Sequence, residues 1–199
     1  MATVAPMSWE DHQAWEREWW GECLNTFGEE TKQITYAHRM GLLNKPVWET
    51  WPLYDLDGDS ILDLGGGPVS MLLKTVNGDL KTVVDPCYYP SWVADRYDVA
   101  RIEYVVSPAE GWSNHTEYDE CWIYNVLQHV QDPQAVLDTA RRHAPVLRLF
   151  EWVDVPVCPG HPHTLRAWQL DEWLNAEGTV EQMNENGCVG NAYYGEFTL

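Results

Sequence analysis

The chain has 199 residues, with 12 Lys and Arg against 31 Asp and Glu, a formal net charge of −19 at pH 7. A surface this acidic repels phosphate backbones and anionic lipid heads, which counts against nucleic acid and membrane surfaces as partners. With 45% apolar residues the length suits one domain, residues 1–199, with a real core.

Five cysteines (Cys23, Cys87, Cys121, Cys158 and Cys188) stand far apart with no Cys-x-x-Cys, so neither a zinc knuckle nor a disulfide framework is expected. Residues 1–7 lack the basic and apolar regions of a signal peptide, and no apolar run is long enough to cross a bilayer. A reducing cytoplasm is the expected location. Twelve tryptophans are many for this length. Most are expected to pack, and the rest to offer flat faces to a substrate.

In chain order, Ser8 with acids behind it caps a predicted helix that runs to Trp20 and ends at Gly21. A second helix starts at Thr26, where Glu29 completes a capping box, and runs through Tyr36 to Gly41. Residues 44–59, with Pro46, Pro52 and Asp57-Gly58, read as loop; their Asp55-x-Asp57-x-Asp59 lacks the glycine and glutamate of a calcium loop. From Ser60 strands and helices alternate, which predicts a parallel sheet covered on both faces. Strands are expected at 61–64, 80–84, 101–106, 119–124 and 146–151, and helices from Pro68, from Asp132-Pro133 and over 170–176. Asn186-Gly187 between 179–183 and 192–199 predicts a closing antiparallel pair.

The centre of this pattern is Ser60-Ile-Leu-Asp-Leu-Gly-Gly-Gly-Pro-Val-Ser70. An apolar strand, three glycines and a helix opened by proline lay out a nucleotide cradle, because glycines admit a ligand close to the backbone and a helix start offers free N–H groups. A dinucleotide fingerprint would place glycine at Ser70. Asp63 before Gly65-Gly66-Gly67 instead resembles motif I of the class I S-adenosylmethionine-dependent methyltransferases, with Val69 where that family usually carries a further glycine. Asp85, at the end of the 80–84 run, is placed to accept hydrogen bonds from ribose hydroxyls. The run from Tyr118-Asp119 to Asn125-Val-Leu-Gln-His129-Val-Gln-Asp-Pro133 is similar to the segment after the fourth strand in the small-molecule members, although the family's Pro-Gly-Gly before the fifth strand is replaced by His143-Ala-Pro-Val.

The resemblance covers about residues 60–152. It implies a Rossmann-like, doubly wound α/β fold with a mostly parallel seven-stranded sheet, a C-terminal antiparallel hairpin and N-terminal lid helices. Residues 1–59 would form a helical cap and 60–199 the core that binds S-adenosyl-L-methionine. Asp63, Gly65 and Gly67 would hold the amino end of the cofactor, Asp85 its ribose, Ala109 and Glu110 its adenine, and Asn125 its methionine part, while Tyr36 or Lys32 would close over its carboxylate. A methyl would pass to an O or N atom of a small-molecule or glycan-type acceptor. The alternatives are a non-catalytic S-adenosylmethionine binder or an NAD-dependent enzyme on a related sheet. Candidate bases are His129, Glu151, His163 and His161; His161 and His163 with Asp154 make a poor metal site, and no metal is expected. Oligomeric state is not legible.

Overall fold

The structure is a computed structural model that describes residues 7–42, 44–48 and 51–199. Residues 1–6, read above for a leader, and the side chains of Pro46, Trp48, Trp51 and Pro52 lie outside that set.

Helix α1 (Trp9–Trp20) starts on a full capping box. The Ser8 hydroxyl accepts from the Asp11 amide at 3.2 Å, and the Asp11 carboxylate accepts from the Ser8 amide at 3.0 Å. Helix α2 (Phe27–Arg39) lacks the expected box. The Thr26 hydroxyl donates to Glu30 at 2.7 Å, and Glu29 pairs with Lys32 at 2.6 Å.

Two expectations fail between α2 and the second strand of the core. Residues 44–59 form strands, β1 (Asn44–Trp48) and β2 (Trp51–Gly58), rather than a loop. Tyr54 and Leu56 are buried with Asp55 and Asp57 between them, a period of two that the turn-like Asp and Gly residues obscure. After β3 (Ile61–Leu64) there is no α-helix. Two 3₁₀ turns, Gly67–Val69 and Met71–Lys74, lead into β4 (Thr75–Gly78), which pairs parallel with β2 in a small β1-β2-β4 sheet. The spacing of Val69, Leu72, Leu73 and Val76 imitates a helix, but Ser70 is extended and its hydroxyl accepts from the Leu72 amide at 3.0 Å. Such a local side-chain bond competes with the helical ladder.

The remaining elements are β5 (Lys81–Asp85), α3 (Ser91–Val99), β6 (Glu103–Val106), β7 (Glu120–Tyr124), α4 (Pro133–His143), β8 (Val146–Val153), α5 (Ala167–Leu174), β9 (Thr179–Glu185) and β10 (Cys188–Thr198). The large sheet has seven strands in the order β6-β5-β3-β7-β8-β10-β9. β6 through β8 run parallel, and β10 enters antiparallel between β8 and β9. Asn186 and Gly187, both at positive φ (49° and 78°), make the turn between β9 and β10.

Strand parity divides the core. Leu62, Leu64, Ile123, Leu147 and Leu149 face α4 and α5 with Val136, Leu137 and Leu170. Ile61, Val83, Trp122 and Phe150 face the other way, with Tyr36, Met40 and Tyr97. Helix α2 is tied to this second face by two ionic anchors. Lys74, 2% exposed, pairs with Glu30 at 3.1 Å and donates to Gln33 at 3.1 Å. Arg148 grips both Glu120 carboxylate oxygens at 2.7 Å and donates to the Met40 carbonyl at 2.8 Å. Among the described residues no helix is long and apolar enough to cross a membrane.

Candidate active site

The carboxyl ends of β3, β5 and β7 open into a cavity of about 440 Å³, roofed by α1 and α2. Its size suits a drug-sized ligand, and its position outside the strand ends is where open α/β sheets bind ligands.

One half of the cavity is a cradle made by the turn after β3 and the end of β5. Gly65 has φ +82°, and a Cβ there would lie 2.5 Å from Val126, so its glycine is required by the neighbouring loop. Gly67 has φ +61° and lies under the Trp20 ring. Asp85 lines this half with each carboxylate oxygen holding one backbone amide, Gly67 at 3.0 Å and Cys87 at 2.9 Å. Since a carboxylate offers about four lone-pair sites, the two amides and the Tyr89 hydroxyl leave it capacity for about one more donor. Burial pushes its pKa up to about 6, against the pull of the amides and Tyr89. Asn125, at φ +57°, and Tyr36, stacked on Phe150 at 4.2 Å, complete the wall towards β8. Lys32 also lines the cavity, paired with Glu29.

Asp63 lies beneath the turn and does not line the cavity. Fully buried, it shares the parity of Ile61 and accepts from the Tyr124 hydroxyl at 2.5 Å and from the Ser70 hydroxyl. Its other oxygen has no protein donor, and burial raises its pKa to about 7. The Tyr124 hydroxyl also accepts from the Met71 amide at 2.9 Å, and Tyr97 accepts from the Ser70 amide at 3.0 Å and donates to the Gly67 carbonyl at 2.6 Å. A buried polar truss thus holds the glycine turn in the absence of a following α-helix.

The other half is formed where α1 meets the loops after β7 and β8. His12 Nδ1 accepts from the Gly160 amide at 3.1 Å, Trp15 packs on Gly160, and Cys87 Sγ donates to Gln13 at 3.3 Å. Glu16 Oε2 stands 3.5 Å from His129 Nδ1, and the His129 ring meets His161 edge-on at 4.5 Å. Burial disfavours charge on both Glu16 and His129, but their mutual attraction outweighs it, so the Glu16 pKa falls and the His129 pKa rises. Burial, then the charge of His129, lowers His161 to about 4, which leaves its imidazole neutral at neutral pH. Gln128 donates to Asn125 at 2.8 Å and is 2% exposed.

The other residues singled out in the sequence lie elsewhere. Glu151 shares the parity of Leu147 and Leu149 and does not line the cavity. Its Oε1 accepts from the Val126 and Leu127 amides at 2.9 and 3.0 Å, which fixes the turn after β7, and burial raises its pKa to about 7. His163 contacts the Val130 carbonyl at 2.8 Å, beside a separate shallow cleft, and Asp154 pairs with Arg166. Ala109 and Glu110 are outside the cavity lining, and Glu110 accepts from the Gln131 amide at 2.8 Å. Among the described residues no group of three or more His, Cys, Asp or Glu side chains is arranged to hold a metal.

Sequence reasoning missed Gln13, Glu16 and Gln128. Glu16 gave a usable signal, since it sits between Trp15 and Trp19 on a helix already expected to act as a lid. Gln128 gave none, because only the turn after β7 aims it inward.

No protein-family model matches the sequence, and comparison with curated proteins finds no significant relative. Solved structures do match. The N-methyltransferase NodS from Bradyrhizobium japonicum WM9, in complex with S-adenosyl-L-homocysteine, is 14% identical with a TM-score of 0.66, covering 94% of this chain and 97% of that one. The Burkholderia thailandensis 1,6-didemethyltoxoflavin-N1-methyltransferase, with 1,6-didemethyltoxoflavin and S-adenosylhomocysteine bound, is 14% identical with a TM-score of 0.61, covering 100% and 92%. The magnesium protoporphyrin IX methyltransferase ChlM from Synechocystis PCC 6803, with S-adenosylmethionine bound, is also 14% identical at 0.61, covering 98% and 99%. The strand order, the glycine turn after β3 and these full-length matches agree that the chain has the fold of the class I S-adenosylmethionine-dependent methyltransferases.

Proposed function

We propose that the chain is an S-adenosylmethionine-dependent methyltransferase acting on an O or N atom of a small molecule. The observation that carries this reading is Asp85: a buried carboxylate at the end of β5, braced by two amides and Tyr89 and still able to accept from a ribose hydroxyl. Gly65, Gly67, Asn125 and Tyr36 would hold the rest of the cofactor, with Asp63 bracing the turn from below instead of touching the ligand. S-adenosylmethionine supplies an activated methyl on a sulfonium, and the sulfur keeps the bonding electron pair when the methyl leaves.

The chain's own part is to align the acceptor and remove its proton. Alignment alone supplies several kcal/mol of such a barrier. His129 lines the cavity, and its ion pair with Glu16 holds its ring in place. That pairing raises the His129 pKa and makes it the stronger base, the group proposed to take the acceptor's proton, whereas His161, lowered to about 4, is a weak base. The size of the cavity suits a small acceptor, and the five free cysteines suit a reducing cytoplasm.

A thermal-shift comparison tests the cofactor. S-adenosylhomocysteine is expected to stabilise the protein and NAD to leave it unchanged; stabilisation by NAD alone would refute the reading. In an acceptor screen that monitors S-adenosylhomocysteine release, His129→Ala is expected to lower kcat by roughly 10²–10⁴-fold with cofactor affinity retained.

A further inference from the structure

Helix α1 is docked on the body by polar contacts. Its two buried residues are His12 and Gln13, where an ordinary surface helix would bury an apolar stripe. Trp9, Trp15 and Trp20 are half-buried and Trp19 is exposed, yet all four line the cavity that α1 roofs. A helix of 12 residues is marginal on its own in water, so α1 persists through what its docking contacts supply.

Those contacts centre on the loop after β8. Gly160, at φ +83°, lies so close to Trp15 that a Cβ there would stand 2.5 Å from the indole. The buried Gly160 amide donates to His12 Nδ1 at 3.1 Å. Only an unprotonated Nδ1 can accept that bond. Elsewhere α1 is held by the Cys87 thiol, a weak donor, on Gln13 at 3.3 Å, and by Glu16 beside His129 at 3.5 Å.

The two histidine contacts need opposite protonation states. His12 holds Gly160 as a neutral acceptor, whereas His129 attracts Glu16 as a cation. Burial opposes charge on both members of that pair, but their attraction outweighs it, so Glu16 falls, His129 rises and the pair lasts into mild acid. The charged and titratable groups around His12 are Asp11 and Glu16 of its own helix and His161 of the loop after β8, with His129 of the loop after β7 edge-on to His161 at 4.5 Å. Asp11 is taken by the Ser8 cap, and Glu16 by His129 and Trp20. Protonation of His12 would set an N–H against the Gly160 N–H and leave that buried amide without a partner.

We propose that α1 is a proton-released lid: neutral His12 latches it to the Gly160 loop, and protonation of His12 frees the helix and opens the cavity. This latch works whatever the cavity binds, so it does not depend on the methyltransferase reading.

Amide hydrogen exchange on the intact chain, corrected for the intrinsic pH dependence of exchange, tests the latch from pH 7.5 to 5.5. Protection of residues 9–20 is expected to fall about 10-fold over that range, the loss of one hydrogen bond with its donor left buried. Strands β3 and β5 are expected to hold or gain protection, because buried Asp63 and Asp85 take up protons there. His12→Asn puts an amide oxygen in the place of Nδ1 and does not titrate; it is expected to keep α1 protected throughout. His12→Phe offers no acceptor and is expected to show the low protection at both ends of the range. Should a variant fail to fold, deuteration of the histidine C2 positions in the unmodified chain reads the titration of His12, whose midpoint must match the loss of α1 protection. Protection of α1 that ignores pH, a fall that persists in His12→Asn, a fall shared by β3 and β5, or a His12 midpoint apart from that of α1 would overturn the proposal.

Discussion

The two halves of the cavity are built on opposite plans. In the cradle, backbone amides of the glycine turn are taken by Asp85, Tyr97 and Tyr124, and few polar groups other than Asp63 Oδ1 go unmet. In the half under α1, the polar groups are side chains from three separate segments, with Glu16 and His129 paired at 3.5 Å and the His129 ring edge-on to His161. The first half is held by backbone and buried hydroxyls of neighbouring strands; the second is assembled from side chains that α1 and the loops after β7 and β8 bring together. Such a division suits a site in which one guest is constant and the other sets specificity.

The sharpest way to break the comparison is to deform the cradle alone. Gly65→Ala puts a methyl 2.5 Å from Val126 at φ +82° and is expected to cost about 3–4 kcal/mol, from overpacking plus left-handed strain. Urea unfolding would show it, and Val126→Ala in the same chain should return the overpacking share. Next in size, Asp85→Ala should weaken S-adenosylhomocysteine binding by roughly 10- to 100-fold, the value of one hydrogen bond to a charged group. Unchanged affinity would remove Asp85 from the cofactor site.

A smaller effect comes through pH. Burial raises Asp63 and Asp85 from 3.8 to about 7 and 6, and Glu151 from 4.5 to about 7. Between those limits the folded chain holds protons that the unfolded chain has released, so stability falls as pH rises through 6–7. The depressed Glu16 and Glu30 act in the opposite sense, and their contribution is lost only as pH falls below the ordinary carboxylate range. The urea midpoint is expected to drop from pH 5.5 to 8, on the order of 2 kcal/mol, and Asp63→Asn to flatten that drop. Smallest is Ser8→Ala, which removes the α1 cap and costs about 1 kcal/mol. Its effect should appear as faster amide exchange confined to α1, with cofactor affinity within twofold; a loss of cofactor affinity would show that the two halves are not separable.

What was legible in the sequence follows the same division. The parallel core, the Asn186-Gly187 hairpin and the cradle residues Gly65, Gly67 and Asp85 could be read because each depends on local chemistry: apolar runs, a turn dipeptide, a carboxylate at a strand end. Parity already put Glu151 with Leu147 and Leu149, against its use as a base, but that requires knowing which face of β8 meets α4. The 3₁₀ turns after Val69 were hidden because Tyr97 and Tyr124, distant in sequence, hold that segment. The small sheet was hidden because β2 finds its parallel partner only in β4. Glu16 and Gln128 became visible only once α1 was seen to lie across the turn after β7.

The position of β10 has a consequence for how the site comes into being. β9 pairs with the large sheet only through β10, and Gly187 and Val189 at the tip of this hairpin line one side of the cavity. The same hairpin clasps α2 through Arg39, which pairs with Glu181 and Glu185 at 2.9 and 2.7 Å, and through Asn186, which donates to Thr35 at 3.2 Å. Because Gly187 and Val189 line the cavity, a bound ligand that touches them favours the docked hairpin by mass action.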